Sequence, residues 1–200
     1  MPSKAVGPIS LRERQKAQTR EHLLDVAAGL FAEKGYNETT IEDIARAAGS
    51  SRATVYSYFS TKEDILRTLA VEMWENTEDT YRAFAALPEW SVTAIRGWLE
   101  HVAAEWDRTI VRIRVVVESL SRELHDDYLR HHRSFVTTLT ADSERWSAFS
   151  PAEAEVRALL LIAQMEAFFG TWYIRGWKMD RDTALDTLAD VWCTTLKVEP

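Results

Sequence analysis

Apolar side chains recur along this chain with the 3.6-residue period of helices and not with the alternation of strands. Leu23, Ala27, Leu30 and Phe31 fall at i, i+4, i+7 and i+8, so the spacing predicts an amphipathic helix that Gly35 ends with a left-handed stop. Thr40 then caps a short helix through Ile41, Ile44, Ala45 and Ala48, with Asp43 in the capping-box position, and Gly49 breaks it. Ser51 caps the next, from Arg52 to about Tyr58. Thr61, with Asp64 three residues on, opens a longer helix that carries Ile65, Leu69 and Met73 into the low eighties. Leu87-Pro88-Glu89 reads as a linker, and two or three helices are expected between Val92 and Trp146. The run from Ile110 to Val117 has the β-branched composition of a strand, but no other segment pairs with it, so helix is the expectation. Ser150-Pro151-Ala152-Glu153 combines an N-cap, a first-turn proline and a capping-box glutamate, and starts a helix that should run to about Gly176. A last helix, from Asp180 or Arg181 to Leu196, shows Leu185, Leu188 and Trp192. The predicted fold class is all-α.

Composition supports this. Seven glycines and five prolines in 200 residues punctuate few turns, which favours long helices. The single Cys193 excludes an internal disulfide framework and reads as a small core residue in a reducing, cytoplasmic setting. Residues 1–20 hold no apolar stretch of the kind a signal peptide needs. The longest apolar run, Ala158 to Ile174, is interrupted by Gln164 and Glu166, so a buried helix is expected there and no membrane span.

Charge is unevenly distributed. Residues 1–67 carry +1, residues 68–200 carry −8, and within residues 1–20 five basic groups (Lys4, Arg12, Arg14, Lys16, Arg20) face Glu13 alone. An acidic chain with a basic N-terminal arm suits nucleic-acid contact at one end, although a solvated tail has the same composition.

The segment Thr39 to Phe59 turns that hint into a motif. Two helices crossing near right angles need a small residue where they touch, a turn residue tolerating positive φ, and an apolar anchor on the second helix. Ala45, Gly49 and Val55 meet those needs in order. The helix that Ser51 starts is two turns long, short for a structural helix but enough to lay its N-terminal face in a major groove. Arg52, Ala53, Ser57 and Tyr58 are its expected exposed side chains, with Tyr56 toward base edges or backbone. Arg52 is the best base reader, because its fork donates twice to guanine. Thr40, Tyr58 and Lys62 suit phosphates: a hydroxyl at a helix N-terminus, a phenol, and a cation at the next helix start. Singly, each reads equally well as a cap or surface residue.

Taken together these residues resemble the TetR family of bacterial transcriptional regulators. The likeness runs over about residues 12–70, through Arg20, Ala27-Ala28, Phe31, Gly35-Tyr36, Thr39-Thr40, Ile44-Ala45, Ala48-Gly49, Thr54 to Phe59 and Lys62 to Leu66. It implies an Ω-shaped homodimer of about nine helices per subunit on a near-palindromic DNA operator. It also implies DNA contacts at Arg20, Thr40, Arg52, Tyr56, Tyr58 and Lys62, to which Ser51, Ala53 and Ser57 are added from the reading face. The expected organisation is a basic arm over 1–18, a helix-turn-helix domain over 19–66, and a helical ligand-binding and dimerisation domain over 67–200.

Seven of the eight tryptophans fall after Pro88, beside Tyr128, Phe135, Phe168, Phe169 and Tyr173. Simple packing explains any one ring; so many in a small helical domain also suit a cavity for a flat, apolar effector. Gln164, amid Leu160, Leu161, Met165 and Phe168, is an amide in need of a partner, while Glu166 is expected to face solvent or a second subunit. The stretch from residue 121 through Phe135 to Leu196 is similar to the ethionamide-resistance repressors of actinobacteria. That likeness implies a pocket lined by Trp106, Tyr128, Phe135, Gln164, Phe168 and Trp172; Trp98 and Val102 complete the expected lining. Ala152–Tyr173 and Thr183–Leu196 are apolar on more than one face, so they are the expected dimer helices, pairing as a four-helix bundle.

Catalysis is not expected. Glycine-rich phosphate loops, a Gly-x-Ser-x-Gly elbow and His-Glu-x-x-His are all missing from the sequence. His125, Asp126, Asp127, His131 and His132 read as a solvated charged face sooner than a metal site, and no cofactor is called for. The rival to effector control is a DNA-binding dimer tuned by a protein partner or acting structurally; a filled sensor core would favour it.

Overall fold

The computed structural model describes residues 10–119 and 125–198. Lys4 of the basic stretch and residues 121–124, where the C-terminal likeness begins, lie outside the described residues. The described residues form helices joined by turns and loops, with no strand among them: α1 (Leu11–Lys34), α2 (Ile41–Ala47), α3 (Arg52–Tyr58), α4 (Lys62–Ala85), α5 (Val92–Glu118), α6 (His125–Leu139), α7 (Pro151–Phe169) continued by a π-helical turn (Gly170–Ile174), and α8 (Arg181–Leu196). They form two compact units, Met1–Leu69 and Ala70–Pro200.

The first unit is built on local signals. Ser10 and Glu13 cap α1 reciprocally, so residues 11–18, expected in the arm, form its opening turns. Thr40 and Asp43 do the same for α2, and Ser51 accepts the Thr54 N–H at the start of α3. Leu23, Leu24, Ala27, Phe31, Ile44, Val55, Ile65 and Leu69 are buried, and each large one is worth about 1.5–3 kcal/mol. Thr39 is buried as well, its hydroxyl donating to the Gly35 carbonyl at 2.9 Å.

In the second unit α5 and α8 pack together. Trp98, Phe84 and Trp192 form the centre, with ring centroids 4.8–5.1 Å apart. Two arginines lace the same helices at the rim. Arg96 reaches Asp182 and Asp186, and Arg181 reaches Glu100 and Asp107. The β-branched run Ile110 to Val117 lies within α5 and is helical, because burial of Ile113, Val115 and Val116 along that helix outweighs a weak local preference. The helix expected to reach Gly176 leaves the α-helical register after Phe169 and becomes the π-turn, with Gly176 just beyond it at φ +69°.

Candidate nucleic-acid interface and sensor unit

The reading helix α3 is held from behind and open in front. Val55 and Phe59 are buried, whereas Ser51, Arg52, Ala53 and Ser57 are exposed and the Tyr56 ring is 47% exposed. Gly49, at φ +61°, makes the turn from α2, a conformation that costs other residues about 1–2 kcal/mol. Tyr58 is half-buried. The Ser57 hydroxyl is directed back to the Thr54 carbonyl at 2.7 Å, and the Thr40 hydroxyl to Asp43 at 2.8 Å. Arg52 is paired, Nη1 to Oε1 of Glu42 on α2 at 2.5 Å. The Arg20 guanidinium lies 5.6 Å from the centre of the Phe59 ring.

Lys62 is placed differently from the sequence reading. Its ammonium donates to the carbonyls of Tyr36 (2.6 Å), Asn37 (3.2 Å) and Thr39 (3.0 Å) and sits over the Tyr36 ring. With all three protons engaged, it closes the loop between α1 and α2.

The six rings among the eight residues expected to line one pocket fall into two contact groups. Trp98 belongs to the core, its indole N–H donating to the Thr80 carbonyl at 3.1 Å; Phe135 packs on Tyr81, and Tyr128 on His132. Trp106 instead stacks on Phe169, and Phe168 and Trp172 meet edge-on, all beside the π-turn. Trp98, Val102 and Phe135 are buried; Trp106, Tyr128, Gln164, Phe168 and Trp172 are half-buried. A recess of about 430 Å³ opens between α4 and α6, lined by Glu75, Glu78, Asp79, Arg82, His131 and Ser134. It is polar, and none of the eight expected residues lines it.

Glu166 does more than the sequence reading gave it. Its side chain is 41% exposed, as expected of a group facing solvent, and it is also held from within: Oε1 lies 2.5 Å from Nε2 of buried His132, and Oε2 accepts the Tyr128 hydroxyl. The other His132 nitrogen donates to the Tyr128 carbonyl at 2.8 Å. The sequence carried a signal for this, because His132 lies three residues before Phe135 and so shares its inward stripe. Its carboxylate partner, 34 positions away, left no local trace. No group of three or more His, Cys, Asp or Glu suited to a metal ion occurs among the described residues.

Comparison with known proteins fits the N-terminal geometry. The profile for "Bacterial regulatory proteins, tetR family" matches residues 23–69, the stretch from the buried face of α1 through α3 into α4. Over these residues the chain is similar to the TetR family. It is 41% identical to the HTH-type transcriptional regulator AcrR of Shigella flexneri over 35% of this chain, a match spanning 31% of that protein. It is 25% identical to the negative transcriptional regulator IcaR of the icaADBC biofilm operon of Staphylococcus epidermidis, over 78% of this chain and 83% of that one. Among solved structures, the SmeT–triclosan complex superposes with a TM-score of 0.65 at 21% identity, over 87% of this chain and 91% of that one, a likeness of fold. The matched segment includes α2 and α3, the two helices of the expected helix-turn-helix. No described helix is long and apolar enough to cross a membrane.

Proposed function

We propose that this protein is a homodimeric repressor that leaves a near-palindromic operator when a small apolar or aromatic molecule occupies its C-terminal unit. The observation that carries the reading is α3, a capped two-turn helix anchored by Val55 that exposes Arg52, Ala53, Tyr56 and Ser57 on one side. The half-buried rings Trp106, Phe168 and Trp172 support an apolar effector, as does a fold shared with a protein seen with triclosan. Repression is the role named for IcaR. Each protomer would present its reading helix to one half-site, the two about 34–36 Å apart on B-DNA. An effector that prefers dimers with another spacing weakens the operator complex by that preference, about 5–150-fold.

A second reading is favoured by the filled core positions Trp98, Val102 and Phe135 and by the polar recess: a DNA-binding dimer governed by a protein partner or acting structurally. Selecting bound sequences from a random duplex library identifies the operator, and titrating that complex with a panel of apolar compounds separates the readings. Release by at least one compound is expected; release by none favours the second. Arg52→Ala should lose affinity for the selected duplex and little for a scrambled one, and equal losses on both would remove Arg52 as a base reader.

A further inference from the structure

We propose that the exposed start of α1 is a phosphate-binding rail, in which Arg12, Lys16 and Arg20 hold the backbone of the duplex that α3 reads. The proposal deepens, and rests on, the DNA-binding role of α3. Residues 11–18 are helical and all exposed, so the first two turns of α1 project beyond the packed part of the helix. Arg12, Lys16 and Arg20 follow one another at i, i+4 and i+8, which places them on one side of it. That side is the inner one. Arg12 and Lys16 lie eleven and seven residues before buried Leu23, and Arg20 lies seven before buried Ala27. The line therefore continues the packed face of α1 beyond its outermost buried residue.

The rail begins beside the reading helix, where the Arg20 guanidinium lies 5.6 Å from the ring centre of Phe59, the residue that ends α3. Among the described residues, the side chains of Arg12 and Lys16 have no hydrogen-bond or ion-pair partner. Glu13, the one acid between Ser10 and Arg20, is turned back to the Ser10 N–H at 2.9 Å and serves the cap. The opposite side of the helix differs, because Arg14 lies there in line with Glu21 and Asp25. Like charges four residues apart disfavour a helix, and the rail contains two such pairs. Packing gives no return for them at Arg12 and Lys16, which are exposed; a polyanion does. The three cations span about 12 Å of helix, and successive phosphates of one strand follow every 3.4 Å or so along the DNA axis. Such contacts set the position of the protein and read no sequence.

Lys16→Gln and Arg14→Gln remove the same charge from the same turns, but from opposite sides. Both put a good helix former at an exposed site, so neither should alter thermal unfolding. Binding is followed by fluorescence anisotropy on the duplex enriched from a random library and on its scrambled counterpart, at several salt concentrations. Each phosphate contact contributes about 0.9 to the slope of log K against log salt, so Lys16→Gln should flatten it by about 0.9 per bound protomer. Arg14→Gln should flatten it by less than about a third of that. Arg12→Gln combined with Lys16→Gln should double the effect and weaken both duplexes alike, about tenfold at low salt. The preference for the selected duplex should stay within about twofold. Equal slopes for the Arg14 and Lys16 variants overturn the rail, since attraction to any basic segment would then suffice. Unchanged binding by the double variant overturns it as well, and so does a loss confined to the selected duplex, which would make these side chains base readers. A wild-type chain that binds no duplex at low ionic strength removes the DNA role itself, and this proposal with it.

Discussion

Lys62 and His132 show how a single side chain can mislead when read from its neighbours in sequence. Lys62 reads as a surface cation at a helix start; its carbonyl partners lie 23–26 positions upstream and only the folded chain brings them together. Hydrogen bonds to a charged donor contribute about 1.5–3 kcal/mol, so Lys62→Met should lower the stability of the N-terminal unit by about that much in a urea titration. Arg46→Ala, which removes a pair whose arginine is 76% exposed, should change it by less than about 0.5 kcal/mol. Equal effects would show that the three carbonyls gain little from Lys62. His132 yields a pH prediction. Burial disfavours its charged form, but the hydrogen bond and charge of Glu166, with the Tyr128 carbonyl, outweigh that and hold its pKa above the ordinary histidine value. A histidine with a raised folded pKa adds stability that is complete below its unfolded value, about 6.5, and is lost as pH rises through the folded one. The denaturation midpoint of the wild type, relative to Glu166→Gln, should therefore be higher at pH 6 and the difference should shrink toward pH 8. A constant difference would mean that the ring does not change charge there.

At the scale of elements, legibility followed the range of the physics involved. Caps act within one turn, so the starts of α2, α3, α4, α7 and α8 could be read from Thr40, Ser51, Thr61, Ser150 and Asp180 alone. The π-turn could not, because Gly170-Thr171-Trp172-Tyr173-Ile174 has the same apolar composition as the helix before it. The candidate DNA face was legible for the same reason as the caps, whereas the grouping of sensor rings depends on contacts between helices distant in sequence. Two glycines separate a backbone requirement from a mere absence of side chain. Gly49→Ala should cost about 1–2 kcal/mol, since its φ of +61° is strained for any residue with a Cβ. Gly170 has helical torsions and open space where a Cβ would go, so Gly170→Ala should add about 0.5–1 kcal/mol. Thermal unfolding of both variants checks the signs. A loss at Gly170 would indicate that alanine pulls the π-turn toward α-helical register against the packing of Trp172 and Tyr173.

For the whole molecule the informative surface is on α7. Val156, Leu159 and Leu160 are 57%, 50% and 59% exposed, and with the exposed Ala163 and Ala167 they form one stripe opposite the buried Ala154, Ala158, Leu161, Ile162 and Met165. A helix that buries one apolar face and displays another is half of an interface. On the proposed function, its occupant is a second copy of the same stripe related by a two-fold axis, which would match a palindromic operator. Val191 on α8 is also exposed, in keeping with a four-helix arrangement of α7 and α8 from two protomers. Leu159→Glu with Leu160→Glu places two charges in that stripe at sites open to solvent in a single protomer. The variant should keep its helical circular dichroism and sediment as a monomer. Two linked reading heads gain about 10²–10⁴ in affinity over one, so the monomer should bind the selected duplex at least about a hundredfold more weakly while retaining its weak half-site affinity. A variant that remains dimeric moves the interface away from α7. A monomer that binds the full operator as well as the wild type shows instead that one reading helix suffices, and that the symmetry of the site is not read by a symmetric protein.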